Sequence, residues 1–212
     1  VCYYQKQYEK TKILWVESIE IRKEVLGEKH PQYANSLNYL AILYWNIGNY
    51  AQSELLHKQA LNIKKEVLGD KHLDYAASLV GLANLYNSIG SYALAEPLYI
   101  QAMKIQKAVL GEKHPDYAKS LNNLAALHKD MGNYTLAEPL YIQALKIKKE
   151  VLGDKHREYA VGLNNLAILY RNMGNLVLAE PLFMQAMNIF KEDLGDKHPE
   201  YAVSLNNLAA LY

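Results

Sequence analysis

Residues 111–152, GEKHPDYAKSLNNLAALHKDMGNYTLAEPLYIQALKIKKEVL, are followed directly by residues 153–194, GDKHREYAVGLNNLAILYRNMGNLVLAEPLFMQAMNIFKEDL. The two segments are identical at 25 of 42 positions. Two series of glycines carry the same spacing of 42 residues through the rest of the chain. They are Gly27, Gly69, Gly111, Gly153 and Gly195, and Gly48, Gly90, Gly132 and Gly174. Self-similarity at a fixed period of this length is typical of repeat architectures, so the sequence predicts one repeated unit throughout.

Each 42-residue unit contains two helical patterns. In residues 115–131, apolar residues recur at helical spacing between Pro115, which suits a first helical turn, and Gly132, which suits a left-handed stop. A second pattern covers residues 134–152 and ends at Gly153. The two-residue turn between the patterns makes the helices antiparallel neighbours. Since neither helix can bury its apolar residues alone, successive pairs must stack, and the predicted fold class is an all-α solenoid of antiparallel helix pairs.

The periodicity also predicts where helices and repeats begin and end. The predicted helices are 8–19 with a continuation to Val25, 31–47, 50–68, 73–89, 92–110, 115–131, 134–152, 157–173, 176–194 and 199–212. The predicted array over 1–212 has a partial repeat with a second helix at 1–27, full repeats at 28–69, 70–111, 112–153 and 154–195, and a partial repeat with a first helix at 196–212. Both partial repeats are expected to expose apolar surface, because each lacks a partner helix. Pro97, Pro139 and Pro181 lie early in second helices and are expected to bend them slightly without interrupting them.

The charge and cysteine content argue against several classes of function. Lysine and arginine number 23 against 22 acidic residues, which leaves a net charge of +1 and no electrostatic basis for binding nucleic acid or a membrane surface. Cys2 is the single cysteine, so an internal disulfide and a tetrahedral thiolate zinc site are both excluded. The sequence shows neither a secretory signal at its start nor an apolar run of about 18 residues. We therefore expect a cytoplasmic protein that binds neither nucleic acid nor membranes and needs no cofactor.

Histidine and tyrosine, the residues that most suggest chemistry, recur with the repeat. One histidine precedes each first helix, at His30, His72, His114, His156 and His198. Equivalent positions in stacked helix pairs lie about 10 Å apart, too far to share a zinc ion that needs ligands within about 2 Å. We predict that these histidines cap helices, that His57 and His128 are substitutions at the edge of the core, and that the tyrosines pack between helices. With no unrepeated nucleophile and no phosphate-binding loop, the sequence predicts neither an enzyme nor a metal site.

The motifs that carry the repeat resemble a known family. They are L-N-N-L-A-x-L-Y, G-N-Y-x-x-A-E-P-L-Y, Q-A-L-x-I and V-L-G-x-K-H-P-x-Y-A, and they are similar to the long tetratricopeptide repeats (TPRs) of kinesin light chains and prokaryotic relatives. Ordinary units of this family have about 34 residues. The resemblance covers essentially the whole chain and implies a right-handed TPR superhelix. It further implies a protein-interaction scaffold whose first helices line a concave groove for an extended peptide.

The family's groove positions can be carried over to the first helices of this sequence. They are Asn38, Tyr39, Ile42, Trp45, Asn84, Asn87, Lys119, Asn122, Asn123, Ala126, Lys129, Asn164, Asn165, Ile168, Arg171, Asn206 and Asn207. Amides dominate the set, and an amide offers both the donor and the acceptor that a peptide main chain requires. Lys119, Lys129 and Arg171 are expected to favour an acidic side chain or a carboxylate, and Tyr39 and Trp45 an apolar anchor. Kinesin light chains take aromatic and acidic segments, so the resemblance implies a partner of that character.

Two alternatives to peptide binding remain. The array could act as a structural spacer within a larger protein, or associate end to end through Leu205, Leu208, Leu211 and Tyr212. Binding of RNA by a code of helical repeats is disfavoured, because the sequence has balanced charge and no basic stripe.

Overall fold

The computed structural model describes residues 2–212, with side-chain environments for residue 8 and residues 10–212. These residues form ten α-helices and no strand. The helices are α1 (Cys2–Leu26), α2 (Pro31–Asn46), α3 (Tyr50–Leu68), α4 (Leu73–Ser88), α5 (Tyr92–Leu110), α6 (Pro115–Asp130), α7 (Tyr134–Leu152), α8 (Arg157–Asn172), α9 (Leu176–Leu194) and α10 (Pro199–Ala209). Even-numbered helices are the first helices of the repeats and odd-numbered helices are the second. The predicted all-α solenoid of helix pairs is confirmed.

Two helices differ from their predicted bounds by more than one residue. The first helix is predicted from residue 8, but α1 is continuous from Cys2. In the α2–α3 turn, Gly48 adopts a φ of 80°, whereas the equivalent position carries Lys6, which has no comparable access to that conformation. At the other end α10 stops at Ala209 instead of residue 212. Val1, assigned to the first partial repeat, lies outside the described residues.

The predicted capping role of the five repeated histidines is confirmed. In each case Nδ1 of the histidine accepts a hydrogen bond from the backbone N–H two residues later, at 3.0–3.2 Å. The histidine has extended backbone angles and so occupies the N-cap position. The bond satisfies one of the backbone donors left free in the first turn of each first helix.

Replacing His72 with alanine is expected to lower stability by about 1 kcal/mol, because the N–H of Asp74 loses its acceptor. His72→Asn keeps a side-chain acceptor at the cap and is expected to stay close to the wild-type protein. Urea unfolding followed by circular dichroism measures both values. Equal losses in the two variants would contradict a capping role.

Helices pack through alanines and leucines within two compact units, Val1–Val109 (unit 1) and Leu110–Tyr212 (unit 2). In unit 1, Ala34, Leu37 and Ala41 of α2 form a core with Leu56 and Ala60 of α3. In unit 2 the corresponding interface of α8 and α9 contains Ala160 and Leu163 against Ala186, Ile189 and Phe190. The alanines in these cores are fully buried, which allows close approach of the helices.

Prolines do not interrupt the second helices. Helices α5, α7 and α9 run without a break past Pro97, Pro139 and Pro181, as predicted. Each proline is the sixth residue of its helix, so the backbone hydrogen bond that it removes lies close to the helix start.

Candidate functional site

The first helices expose one stripe of residues and bury the rest. In α6, Leu121, Leu124 and Leu127 are buried, while Lys119 and Ala126 belong to the accessible stripe. The same spacing places all the predicted groove residues except Asn164 in at least partly exposed positions. We call these stripes the first-helix face of each unit. In unit 1 it consists of Asn38, Tyr39, Ile42, Trp45, Asn84 and Asn87, and in unit 2 of Lys119, Asn122, Asn123, Ala126, Lys129, Asn165, Ile168, Arg171, Asn206 and Asn207.

Two amides of unit 2 form a rung between neighbouring first helices. Nδ2 of Asn165 on α8 donates to Oδ1 of Asn122 on α6 at 2.9 Å. This bond uses one of the two donors of Asn165 and one lone pair of Asn122. The rung holds both amide planes in a defined orientation on an accessible surface. Sequence reasoning placed both residues there but did not predict their bond to each other.

In unit 1 the equivalent amide bonds to buried neighbours. Asn38 donates through Nδ2 to Oγ of Ser78 at 2.9 Å, and its Oδ1 lies 3.0 Å from Nδ1 of His57. His57 is only 1% exposed, and burial lowers its pKa to about 4 from an ordinary 6.5. A neutral ring that donates from Nδ1 fits this environment. The predicted position of His57 at the edge of the core is therefore wrong, because α4 covers the ring.

Gly81 provides the space that the His57 ring occupies. A Cβ atom added to Gly81 would lie 3.1 Å from Cε1 of His57, closer than an ordinary contact. The other first helices carry Tyr39, Asn123, Asn165 and Asn207 at this position. Gly81 thus leaves the first-helix face of unit 1 without a side chain at the point where unit 2 presents amides.

Asn164 is the one predicted groove residue that is buried and does not belong to the first-helix face. It is 9% exposed, and its Oδ1 is buried without a hydrogen-bond partner. Phe183 stands in α9 where α3 carries His57, and a phenylalanine offers no donor to the amide oxygen. His57 thus bonds to its facing amide, Asn38, whereas Phe183 offers no bond to Asn164. In α5 of unit 1 the same position carries Tyr99, which donates its hydroxyl at 2.5 Å to Oδ1 of Asn84, an amide at the repeat position of Ile42 and Ile168.

The lysines of the unit 2 face are compensated by nearby carboxylates. Nζ of Lys119 lies 3.2 Å from Asp116 and 3.6 Å from Glu158, and the hydrogen bond to Asp116 raises the lysine pKa. Lys129 lies 3.2 Å from Asp130. Each of the two lysines therefore has an acidic partner, which reduces the positive character predicted from the three cations.

The third cation, Arg171, has a different neighbour. Its guanidinium carbon lies over the ring of Phe183, 5.9 Å from the ring centroid. Stacking on an aromatic ring leaves the edges of a guanidinium group able to bind a carboxylate in two places. Phe183 was not among the predicted site residues, although its repeat position was visible as an aromatic substitution.

An aromatic pair marks the face of unit 1. Trp15 of α1 stacks on Tyr39 of α2, with ring centroids 4.8 Å apart and planes at 21°. Tyr39 remains exposed in this pair, and Ile42, three residues later on α2, is exposed as well. Trp15 occupies the same repeat position as His57 and Phe183, and sequence reasoning did not include it in the site.

Two further features of the described residues concern metal ions and membranes. The described side chains contain no group of three or more histidine, cysteine, aspartate or glutamate residues suited to holding a metal ion. Within residues 2–212, none of the helices has an apolar stretch long enough to cross a membrane.

Sequence and structure comparisons agree on the type of repeat. The sequence profile of the tetratricopeptide repeat family matches residues 1–66, 56–108, 74–150, 116–171 and 158–212. Among solved structures, the chain is similar in fold to BtubC (BKLC) from P. vanneervenii, with 24% identity and a TM-score of 0.83 over 97% of this chain and 83% of that one.

A second similar structure is a kinesin light chain-like protein of Podospora anserina with nearly identical TPR-like repeats. It shares 28% identity at a TM-score of 0.74, over 86% of this chain and 87% of that one. A single-residue variant of it shares 25% identity at a TM-score of 0.75, over 89% of each chain. No curated protein matches the chain significantly. Because the family profile covers the full sequence, the chain belongs to the tetratricopeptide repeat family, and its units resemble those of kinesin light chains.

Proposed function

We propose that the protein is a protein-interaction scaffold that binds an extended peptide on its first-helix face, and that the amides of unit 2 are the centre of that site. The observation that carries the proposal is the Asn122–Asn165 rung, with Asn123 beside it in the sequence and partly exposed. The family supports the general role, since tetratricopeptide repeats mediate protein interactions. The peptide groove and its residues are our inference for this chain.

The rung suits recognition of a peptide main chain, because its hydrogen bond leaves further donors and acceptors of both amides available. After donating once to Asn122, the Asn165 amide retains a second N–H and its carbonyl oxygen, and Asn122 retains both N–H groups and a second lone pair. A peptide in extended conformation alternates N–H and C=O groups that such amides can pair with. Since the rung already fixes the two amides, less side-chain entropy is lost on binding.

The neighbouring residues suggest which side chains the peptide carries. We infer that Arg171 pairs with a carboxylate in unit 2, because the two lysines of the face already have acidic partners. In unit 1 the exposed Tyr39, stacked on Trp15, provides a surface for an apolar or aromatic side chain. Asn164 is not part of the proposed site, because its amide oxygen is buried.

Replacing Asn123 and Asn165 together with alanine is expected to weaken peptide binding at least tenfold without changing helicity. Linear peptides selected from a random phage-displayed library against the wild-type protein provide the ligand, and fluorescence anisotropy measures the dissociation constants. Asn188→Ala is the matched control, because it removes an exposed amide from the second helix α9. Peptides that bind the double variant as tightly as the wild type, or a library that yields no binder, would refute the proposal.

A structural or self-associating array is the second candidate. It is favoured by the open apolar side of α10, where Leu205 is 41% exposed and no helix among the described residues covers it. A purely structural role predicts that changes on the first-helix face have no effect.

A further inference from the structure

Unit 2 carries an asparagine at the same repeat position on each of its first helices. These residues, 42 positions apart, are Asn123 on α6, Asn165 on α8 and Asn207 on α10, and all three are partly exposed. We call them the amide row. Unit 1 has no such row, because the same position carries Tyr39 and Gly81. The repeat period alone therefore does not impose the amide row.

An apolar row accompanies the amide row, about one helical turn further along each first helix. It consists of Ala126, Ile168 and Ala210, each three residues after an asparagine of the amide row. Ala126 and Ile168 pack against the same core cluster and remain partly exposed, and Ala210 is exposed. The two rows offer a bound chain polar and apolar contacts that recur at the same interval.

The interval between neighbouring members of a row is set by helix packing. Within unit 2, α6 lies against α8 and α8 lies against α10. The bond of 2.9 Å between Asn122 and Asn165 shows that side chains of neighbouring first helices meet on this face. Axes of packed helices lie about 8–10 Å apart, so the members of a row recur at about that distance.

This distance distinguishes between two extended conformations of a peptide. In a β-strand, groups on the same side recur at every second residue, about 6.6–6.8 Å apart, which is too short for the rows. Three strand residues span about 10 Å, but strand residues three apart point to opposite sides. A polyproline II helix completes one turn in three residues, about 9.3 Å, so its residues i and i+3 present the same groups to the same side.

We propose that unit 2 binds its peptide in the polyproline II conformation and contacts it at every third residue. The amide oxygens of the row accept hydrogen bonds from the main-chain N–H groups of residues i, i+3 and i+6, which have no partner within a polyproline II helix. The apolar row contacts one apolar side chain, proline included, from each turn. This inference rests on the proposed peptide-binding function and specifies its ligand as a segment with an apolar residue at every third position.

An N-methyl scan of a selected peptide tests the period. The peptide is the tightest one that binds the wild-type protein and is lost in the Asn123→Ala, Asn165→Ala double variant. Each residue other than proline is replaced in turn by its N-methyl analogue, which removes one main-chain donor. Fluorescence anisotropy is expected to show about a tenfold loss of affinity at three positions spaced by three residues, and less than about a threefold loss between them.

A proline scan of the same peptide separates polyproline II from strand geometry. Proline at the intervening positions is expected to keep or increase the affinity, because its φ of about −65° is close to that of polyproline II and far from that of a strand. Loss of affinity at every proline substitution would overturn the proposed conformation. Losses at alternate residues in the N-methyl scan, or losses without a period of three, would do the same.

Protein variants connect the sensitive peptide positions to the amide row. In Asn207→Ala, N-methylation at one end of the series is expected to have no further effect, because its acceptor is already absent. Asn188→Ala, on the second helix α9, is expected to keep all three sensitive positions. If Asn207→Ala also keeps all three, the contact with the row is refuted. Each of these outcomes leaves peptide binding itself intact, whereas the absence of any peptide that depends on Asn123 and Asn165 would refute the proposed function.

Discussion

Truncating Leu163 to alanine is expected to lower the free energy of unfolding by about 2–5 kcal/mol, the range for deletion of a buried leucine side chain. Leu163 is almost completely buried and lies in the α8–α9 core with Ala160, Ala186 and Ile189. The alanines already bring the two helices close together, so the structure has little freedom to collapse into the space left by the leucine. Urea unfolding followed by circular dichroism measures the loss.

The repeat itself supplies the matched control for this variant. Leu205 occupies the same position one repeat later, but it is 41% exposed on α10. Leu205→Ala is therefore expected to cost less than about 1 kcal/mol, since little apolar area leaves the protein interior. Measurements must be made at a concentration where the protein is monomeric. Similar losses at the two positions would contradict the burial difference on which this prediction depends.

Acid is expected to destabilise the protein through His57 by about 3 kcal/mol. The unfolded chain binds a proton at this residue near pH 6.5, whereas burial lowers the pKa in the folded protein to about 4. Between these values the unfolded state holds more protons, so stability falls as the pH decreases from 6.5 to 4 and the effect levels off below pH 4. The measurement is the pH dependence of the urea unfolding free energy.

His57→Phe is expected to remove this part of the pH dependence. At neutral pH the variant loses the bond to Asn38 and places a phenylalanine beside the Asn38 amide oxygen. The chain already contains that arrangement at Asn164 and Phe183, so the variant is expected to fold. His72→Asn retains His57 and should keep the same acid loss. An unchanged slope in His57→Phe would show that another group causes the acid sensitivity.

Most of the fold could be predicted from the sequence because its signals are local. Gly132 adopts a positive φ of 77° and ends a helix at the predicted place, and His114 caps the next helix as predicted. The error in the predicted start of α1 has a local explanation as well, because Lys6 occupies the position at which the other repeats carry the turn glycine.

The candidate site was less predictable, because its hydrogen bonds depend on residues from other helices. The repeat period placed Asn122 and Asn165 on the accessible side of their helices, but their bond joins residues 43 positions apart. The pairing of Lys119 with Glu158 likewise links two first helices and reduces the positive character expected from sequence. The burial of Asn164 depends on what α9 places against it. Side-chain direction and partner identity at this distance do not follow from periodicity.

The contact between His57 and Gly81 limits how the repeats could be exchanged during evolution. The two residues belong to successive repeats, 28–69 and 70–111, so neither unit carries the whole arrangement. A duplication or deletion with its boundary near Gly69 would place His57 beneath a tyrosine or asparagine, whose Cβ would crowd the imidazole ring. Despite their common period, these modules are not interchangeable, and their order along the gene is constrained by the fit at each junction.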